Sequence, residues 1–496
     1  MELEMIFVGW LSLLPPLIAI LLALITKEVY SSLFAGILTG MLIYCVASST
    51  PIIMSLQYIF DMIAYKISDN AYMIIFLALL GALVYLISQS GGTQAYGKWA
   101  SKRLKTKTSA KLATFLLGVL IFIDDYFNCL TIGTVMRPIT DKFNISREKL
   151  AYIIDATAAP VCIIAPISSW AVAVSSELGG GLNSFMQVIP YNLYALLTLS
   201  MVVFICIKDF DFGPMDDTAL TIDLKLENNQ TIPEAKGSVL DLILPMAVLI
   251  GASILSMMYV GGFFGGVDFA VAIGVHPTLG LSLGAFIALV FTIGLYVSKR
   301  LLNFKECIEG TVEGTKTMIG AMLILVFAWS LSGVCREMIG TGEFVSSLFQ
   351  ASSFMYELLP VIVFLISAFL SFSMGTAWGT FGILIPIVTM ICAQNQNPEI
   401  LLITLGATLA GSVYGDHCSP ISDTTILSSA GAQCDHISHV RTQLPYATIV
   451  AVVSAIGYIV GGFIQNPIMT LVISEILLFV SLTLIDKAKK NNIKVF

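Results

Sequence analysis

The stretch that first indicates the fold is residues 411–425, which read GSVYGDHCSPISDTT. It lies inside an apolar run at 400–431 that is long enough to cross a bilayer as a helix. Two aspartates, five serine or threonine hydroxyls, two glycines and a proline do not fit an ordinary helix facing lipid. Glycine and proline permit unwinding, which frees backbone carbonyls. The stretch therefore predicts a broken membrane helix with a polar centre.

The composition of the whole chain indicates an all-α polytopic membrane protein. The 496 residues are 57% apolar and 11% charged, with a mean hydropathy of +0.90, whereas a soluble domain has about 25% charged residues. The net charge is −7 and no basic stripe is present, which excludes nucleic-acid binding. The nine scattered cysteines form no CxxC pair, so we expect buried thiols.

The apolar runs predict eleven transmembrane helices and two re-entrant hairpins. The hairpins are predicted at 110–139 and 357–391, where polar or glycine-rich centres interrupt the run. Such backbone must be buried in protein or line a wet cavity. The spans are predicted at 6–26, 29–47, 71–89, 148–177, 187–207, 239–260, 272–298, 317–339, 400–431, 445–465 and 467–485.

The basic residues predict the orientation. With the N-terminus outside and the C-terminus in the cytoplasm, 23 of the 25 lysines and arginines fall on the cytoplasmic side, and only Lys66 and Arg336 fall outside. Treating either hairpin as a single crossing would invert every later loop. The charge distribution therefore supports both hairpins.

The two halves follow the same order of spans and hairpin, about 250 residues apart. Pro166-Ile167-Ser168 matches Pro420-Ile421-Ser422, for example. Because each half has five crossings, we expect the second to be inverted in the membrane, as in many secondary transporters. The predicted organisation is a first repeat at 1–207, an acidic and flexible cytoplasmic linker at 208–238, a second repeat at 239–465, and an extra helix with a basic tail at 466–496.

Oxygen-bearing side chains of the second long span predict a cation site. The four candidates are Asp416, Ser422, Asp423 and Thr424, and hard cations such as Na⁺ favour carboxylate, hydroxyl and carbonyl oxygen. The alternative is a polar bend in which Asp423 caps the second half of the helix.

Further candidates for the transport site lie in both hairpins, in the first long span and beside Asp416. Adjacent carboxylates of a helix point to different faces, so at most one of the first hairpin's pair would face the site. The structural alternative is that one of them caps a half-helix while the other pairs with Arg137 near the cytoplasmic end. In the first long span, a structural ion pair with Lys149 or Arg147 is an equal alternative. The candidates are Asp124, Asp125, Asn128, Asp155, Thr157, Ser168, Thr376 and His417.

Two histidine patterns have alternative explanations. His417 could carry a proton near neutral pH, or it could be a structural hydrogen-bond partner. Cys434, His436 and His439 lack a complete metal ligand set and fit a cytoplasmic loop.

Four segments together resemble the NhaC family of bacterial Na⁺/H⁺ antiporters. They are GDHCSPISDTT at 415–425, TQLPYA at 442–447, FIDDY at 122–126 and APISSW at 165–170. The resemblance covers about 110–450 and implies paired hairpins, inverted repeats and elevator-type movement. The same superfamily includes sodium-coupled malate/lactate exchangers and amino-acid carriers, so it leaves the substrate open.

The function we expect is exchange of Na⁺ for H⁺ across the bacterial cytoplasmic membrane, without enzymatic chemistry and without a cofactor. Burial favours the protonated form of a carboxylate and Na⁺ favours the ionised form, so the two ions would compete. The alternative is a Na⁺-coupled transporter of a small organic acid or amino acid. The expected partners are Na⁺, H⁺ and lipid, with an organic solute and a homodimer left open. A channel or membrane-embedded enzyme is disfavoured because no continuous pore or nucleophile motif is apparent.

Overall fold

The computed structural model describes residues 4–26, 28–178, 181–218, 237–269, 272, 275–341, 344, 353–392, 397–420 and 422–490. Within these ranges the chain forms helices and their connections, without strands. The helices are α1 (Leu14–Thr26), α2 (Val29–Ala47), α3 (Met54–Asp69), α4 (Ala71–Gln89), α5 (Gly92–Arg103), α6 (Lys107–Leu120), α7 (Asp125–Lys142), α8 (Arg147–Asp155), α9 (Ala159–Cys162), α10 (Ser169–Glu177), α11 (Gly181–Val188), α12 (Leu193–Lys208), α13 (Pro214–Thr218), α14 (Leu240–Val260), α15 (Pro277–Ser298), α16 (Phe304–Thr317), α17 (Ile319–Gly333), α18 (Ser353–Met374), α19 (Ala377–Cys392), α20 (Pro398–Cys418), α21 (Asp423–Ala432), α22 (His436–Ile464) and α23 (Pro467–Lys490).

Eight of the described helices are long and apolar enough to span a membrane by themselves, namely α2, α4, α14, α15, α18, α20, α22 and α23. Two bent pairs also qualify: Leu182–Tyr191 with Leu193–Lys208, bent by 55°, and Phe304–Thr317 with Met322–Met338, bent by 41°. The predicted run at 148–177 is divided into α8, α9 and α10, which are each too short to span. The polytopic, all-helical class is confirmed.

Both predicted hairpins are pairs of helices that pack against each other. The first consists of α6 and α7, which are separated at 121–124, and the second consists of α18 and α19, which are separated at Gly375 and Thr376. Gly375 has a φ of +68°, which an L side chain adopts only with strain, so glycine permits the sharp turn there. The polar centres noted in the sequence are the turns of the hairpins.

Corresponding helices of the two halves each pack against helices of the other half. Helix α4 packs against α15 and α16, and its counterpart α17 packs against α2 and α3. Likewise, α7 of the first hairpin packs against α21, while α19 of the second hairpin packs against α10. Such swapped pairs are the pattern expected of two related repeats.

Three segments differ from the sequence-based predictions. Helix α3 was not predicted, because its polar residues break the apolar run, yet it exposes large apolar side chains such as Phe60, which is 71% exposed. The region containing His436 and His439 is the start of α22 and not a loop. At 208–218 the predicted linker packs against the helices: Phe210 and Phe212 are buried, and Phe212 stacks on Tyr446 with ring centroids 4.2 Å apart. Residues 219–236 of the linker lie outside the described residues.

The cysteines behave as expected. All nine are free thiols and eight are buried, with Cys434 partly exposed.

Candidate functional site

The break between α20 and α21 places Asp416 beside hydroxyl groups. Helix α20 ends at Cys418, and Ser422 then caps α21 by accepting a hydrogen bond from the backbone N–H of Thr425. The Thr424 hydroxyl donates to Asp416 Oδ2 at 3.3 Å and lies 3.1 Å from the Ser422 hydroxyl. Asp416 is 4% exposed, and its Oδ1 has no hydrogen-bond partner in the structure. A buried carboxylate with one open oxygen therefore lies beside two hydroxyls.

Asp423 occupies the first turn of α21 and is not its cap, which corrects the predicted alternative. Its carboxylate accepts a hydrogen bond from the Tyr126 hydroxyl at 3.1 Å. Tyr126 belongs to the first hairpin, so this bond joins the hairpin to the break in the second half of the chain. Close backbone packing supports the contact, because a Cβ on Gly133 would lie 2.4 Å from the backbone of Gly431.

The tip of the first hairpin buries both adjacent aspartates. Asp124 is 3% and Asp125 is 1% exposed. The Ser169 hydroxyl lies 3.4 Å from Asp124 Oδ2, and Asp125 starts α7 with an Oδ1 that has no hydrogen-bond partner. Tyr126, which follows Asp125, donates to Asp423, and Thr424, which follows Asp423, donates to Asp416. The two carboxylates with open oxygens, Asp125 and Asp416, therefore lie in one region. Arg137, considered above as a partner for one aspartate, donates to the Gly431 carbonyl at 3.4 Å.

Asn128 holds the hairpin tip through its amide nitrogen. Its Nδ2 donates to the carbonyl oxygens of Gly118, Ile121 and Thr157 at 2.8, 2.9 and 3.1 Å. The Thr157 hydroxyl donates to the Ile153 carbonyl at 2.7 Å. Only Oδ1 of Asn128 remains without a partner in the structure. The main role visible for Asn128 is therefore to join the hairpin to the break after α8.

Asp155, at the end of α8, lies in a buried polar cluster. Its Oδ2 accepts hydrogen bonds from Gln443 Nε2 at 2.6 Å and from the Thr425 hydroxyl at 3.2 Å. His439 Nε2 lies 3.5 Å from the same oxygen, and His417 Nε2 lies 3.7 Å from Oδ1. This cluster joins the first broken helix to α20, α21 and α22.

The ion pairs proposed above for Asp155 are not formed. Lys149 pairs with Asp211, and Arg147 pairs with Asp141 at 3.4 Å. The reason is geometric: the two basic residues lie near the start of α8, while Asp155 is its last residue.

His417 is bonded through both ring nitrogens. Nε2 lies 2.8 Å from the Asp155 carbonyl oxygen and Nδ1 lies 3.0 Å from the Tyr194 hydroxyl. The Gln443 amide also donates to the His417 carbonyl at 2.7 Å. The arrangement fits the structural role that was one of the two alternatives for this residue.

The second hairpin reaches the same region through aromatic packing. Trp378, two residues after Thr376, lies with its ring centroid 5.6 Å from that of Trp170. Trp170 follows Ser169, which contacts the first hairpin. The N-terminal end of α10 therefore lies between the two hairpin tips.

Ser168 is the N-cap of α10. Its hydroxyl accepts from the Ala171 N–H at 2.9 Å and donates to the Cys162 carbonyl at 2.7 Å. Both bonds are internal to the first broken helix, so the structure gives this hydroxyl a capping role.

Three contributors were missed in the sequence: Tyr126, His439 and Gln443. Gln443 and His439 are four residues apart, which places them on one face of a helix. Because the segment was predicted to be a loop, this spacing did not indicate that the two side chains lie together. Tyr126 directly follows the aspartate pair and was detectable as a polar aromatic residue at a predicted hairpin turn.

The assembled region is strongly acidic. In the described parts of the chain, no lysine or arginine forms an ion pair with Asp125, Asp155, Asp416 or Asp423. Buried carboxylates are stable only if they bind protons or cations or accept several hydrogen bonds. The chemistry available here is reversible binding of a cation or a proton.

Comparisons with known proteins identify the family. The model of the Na⁺/H⁺ antiporter family matches residues 181–463. An uncharacterized protein of Haemophilus influenzae is 39% identical and covers 96% of this chain and 95% of its own length. The malate-2H⁺/Na⁺-lactate antiporter of Bacillus subtilis is 29% identical over 40% of this chain and 44% of its own. The arginine/ornithine antiporter of Halobacterium salinarum is 30% identical over 33% of each chain.

A solved structure shares the fold. The Alcanivorax borkumensis YdaH transporter superposes with a TM-score of 0.59 at 13% identity, over 83% of this chain and 90% of that one. The chain belongs to the Na⁺/H⁺ antiporter family and is a secondary transporter, not an enzyme.

Proposed function

We propose that this protein exchanges Na⁺ for H⁺ at Asp416. The observation that carries the proposal is the environment of this carboxylate: Oδ2 accepts from Thr424, while the buried Oδ1 has no protein partner. A proton on Asp416 would neutralise the buried charge, and Na⁺ would do so by binding the ionised carboxylate. The two ions therefore compete for one site, which is the requirement for exchange.

The remaining ligands would be oxygen atoms near Asp416. The hydroxyls of Ser422 and Thr424 lie on the adjacent turn, and the break at 419–422 interrupts the helical hydrogen-bond ladder. Among the described residues, no three His, Cys, Asp or Glu side chains form a metal-binding group. A hydroxyl- and carbonyl-rich site suits Na⁺, which is bound in this way at broken helices of transporters.

The first hairpin would close the site from the cytoplasmic side. Asp125 brings a second negative charge towards Asp416, and Tyr126 holds Asp423. Na⁺ bound between the carboxylates would offset their repulsion, so cation binding would stabilise the closed hairpin. Elevator-type movement would then carry the closed site across the membrane.

An organic cargo is the second candidate because two relatives are named as antiporters of organic acids or amino acids. The acidic region disfavours an organic anion, since among the described residues no lysine or arginine forms an ion pair with Asp125, Asp155, Asp416 or Asp423. A cationic or zwitterionic solute accompanied by Na⁺ is electrostatically compatible. We place the protein in the bacterial cytoplasmic membrane with its N-terminus outside.

The test is transport in proteoliposomes with an internal pH dye. An inward Na⁺ pulse should release protons from vesicles containing the unaltered protein, and Asp416→Asn should abolish the signal, because an amide cannot alternate between proton and Na⁺. Asp435→Asn is the matched control: Asp435 caps α22 by accepting a hydrogen bond from the Ser438 N–H, and asparagine caps equally well. Normal exchange by Asp416→Asn would refute the proposed site.

Isothermal titration with Na⁺ separates the two functions. One-for-one competition between Na⁺ and H⁺ predicts that the Na⁺ affinity weakens by up to about tenfold for each pH unit by which the pH falls. A solute carrier instead predicts tighter Na⁺ binding when its solute is present, because coupling is reciprocal. Sodium binding that ignores pH and tightens with an amino or organic acid would favour the second candidate.

A further inference from the structure

An apolar groove of 510 Å³ lies between α6, α12 and α23, away from the proposed ion site. Phe115 of α6, Phe204 of α12 and Phe479 of α23 line it, together with aliphatic side chains of α12. The one charged residue in its lining is Lys208, the last residue of α12. The groove is thus apolar along its length and cationic at one end.

The three helices that form the groove have basic ends on the same side. Helix α6 begins at Lys107, α12 ends at Lys208, and α23 carries Lys487 near its end. Two ion pairs to the segment after α12 fix this common side: Lys111 with Asp209 at 2.5 Å, and Lys489 with Asp216 at 2.7 Å. The charged end of the groove therefore coincides with the cytoplasmic side assigned from the basic residues.

Among the described residues at this end, three lysines lack an ion-pair partner, whereas Asp217 is the one aspartate that lacks one. Asp209, Asp211, Asp216 and Asp486 are paired with Lys111, Lys149, Lys489 and Lys490, respectively. Among the described residues, Lys107, Lys208 and Lys487 are exposed and take part in no ion pair. The apolar groove thus ends at Lys208, and the helices that form it carry two further exposed lysines on the same side.

We propose that this groove binds an anionic glycerophospholipid of the cytoplasmic leaflet. One acyl chain lies against the three phenylalanines, and the phosphate lies at Lys208 within reach of the neighbouring lysines. Basic sites between transmembrane helices on the cytoplasmic side recognise anionic headgroups in this way. The acyl chain accounts for the apolar groove and the phosphate accounts for the unpaired charge, so neither feature requires a soluble ligand.

The site adjoins a functional element, because α6 is the first arm of the first hairpin. A lipid between α6 and the pair α12–α23 would brace this arm from outside. The Ser200 hydroxyl, which also lines the groove, donates to Glu475 Oε1 at 2.6 Å, and a bound acyl chain would shield this polar pair from water.

Native mass spectrometry of the full detergent-solubilised chain tests the proposal. Phosphatidylglycerol should bind in preference to phosphatidylcholine, and Lys208→Gln should weaken it by about fivefold, as expected for one basic residue near a membrane surface. Lys305→Gln is the matched control, since Lys305 lies at the start of α16 and is 84% exposed. The affinity of this variant for phosphatidylglycerol should be unchanged.

The acyl part is tested separately by Val203→Trp, which fills the groove. It should reduce phosphatidylglycerol binding while the thermal unfolding midpoint of the lipid-free protein stays near that of the unaltered protein. Equal binding of both lipids, an equal effect of Lys305→Gln, or displacement of the lipid by millimolar inorganic phosphate would each overturn the assignment. If Val203→Trp does not fold, Leu199→Phe replaces it as the groove-filling variant, with the same expected loss of phosphatidylglycerol binding.

Discussion

Replacing Asn128 by alanine should destabilise the protein rather than weaken ion binding directly. The side-chain amide supplies two N–H donors to three buried carbonyl groups, those of Gly118, Ile121 and Thr157. Because all three are acceptors, they determine which end of the amide is the nitrogen. Asn128→Ala therefore leaves three carbonyls without this donor in a region from which water is excluded.

The size of the effect follows from the number of donors lost. Each intramolecular hydrogen bond contributes about 1 kcal/mol net, and a buried group left unpaired costs about 1–3 kcal/mol. With two N–H donors removed, we expect the free energy of unfolding to fall by about 2–4 kcal/mol. Asn70→Ala is the control: its Nδ2 donates one local bond, to the Lys66 carbonyl at 3.1 Å, so we expect a loss of about 1 kcal/mol or less.

The assay is reversible unfolding in mixed micelles of increasing SDS content, followed by tryptophan fluorescence, with Na⁺ binding measured on the folded fraction. Equal stability of Asn128→Ala and Asn70→Ala would refute the structural role. A folded Asn128→Ala variant with normal stability and lost Na⁺ binding would instead make Oδ1 of Asn128 an ion ligand.

The remaining predictions concern the second carboxylate, the topology and the cytoplasmic segment. Asp423→Asn should abolish Na⁺-driven proton movement while the protein still inserts into the membrane. Tyr126→Phe removes one hydrogen bond and should reduce the exchange rate by about tenfold at most. Equal exchange rates in both variants and the unaltered protein would exclude this pair from transport. Reporter fusions should place Met1 outside and Phe496 inside, and both ends on one side would refute the eleven-crossing topology. Burial opposes ionisation of Asp209, but the hydrogen bond and charge of Lys111 outweigh it and lower the pKa of Asp209. Its stabilising contribution should therefore be complete above the ordinary aspartate pKa, decline as the pH falls below that value, and be lost once the pH is below the lowered pKa. In Asp209→Asn, the acid dependence of proteolysis after Lys208 should be lost, and an unchanged profile would contradict the assignment.

Local chemistry was sufficient to predict the broken helices and the hairpins. The polar residues of 411–425 interrupt an apolar run, and Gly375 marks a turn, because backbone at membrane depth can leave the helix only where it is buried or wet. These are properties of a short segment and its solvent, so they can be inferred without knowing which helices are neighbours. The proximity of Asp416 and Thr424 could be predicted for the same reason, since both residues belong to one helix break.

Contacts between distant segments depended on the tertiary structure. Asp155 was expected to pair with a basic residue of its own helix, but it is bonded to Gln443, which lies 288 positions later. Asn128 was a candidate for the transport site, yet packing of the hairpin against the break after α8 turns its side-chain nitrogen towards three carbonyls. The sequence determined which polar groups are buried in the membrane region. Helix packing decided which of these groups form hydrogen bonds with one another, and it left one oxygen of Asp416 without a partner. The physical reason is that a hydrogen-bond partner is set by spatial proximity and not by position along the chain.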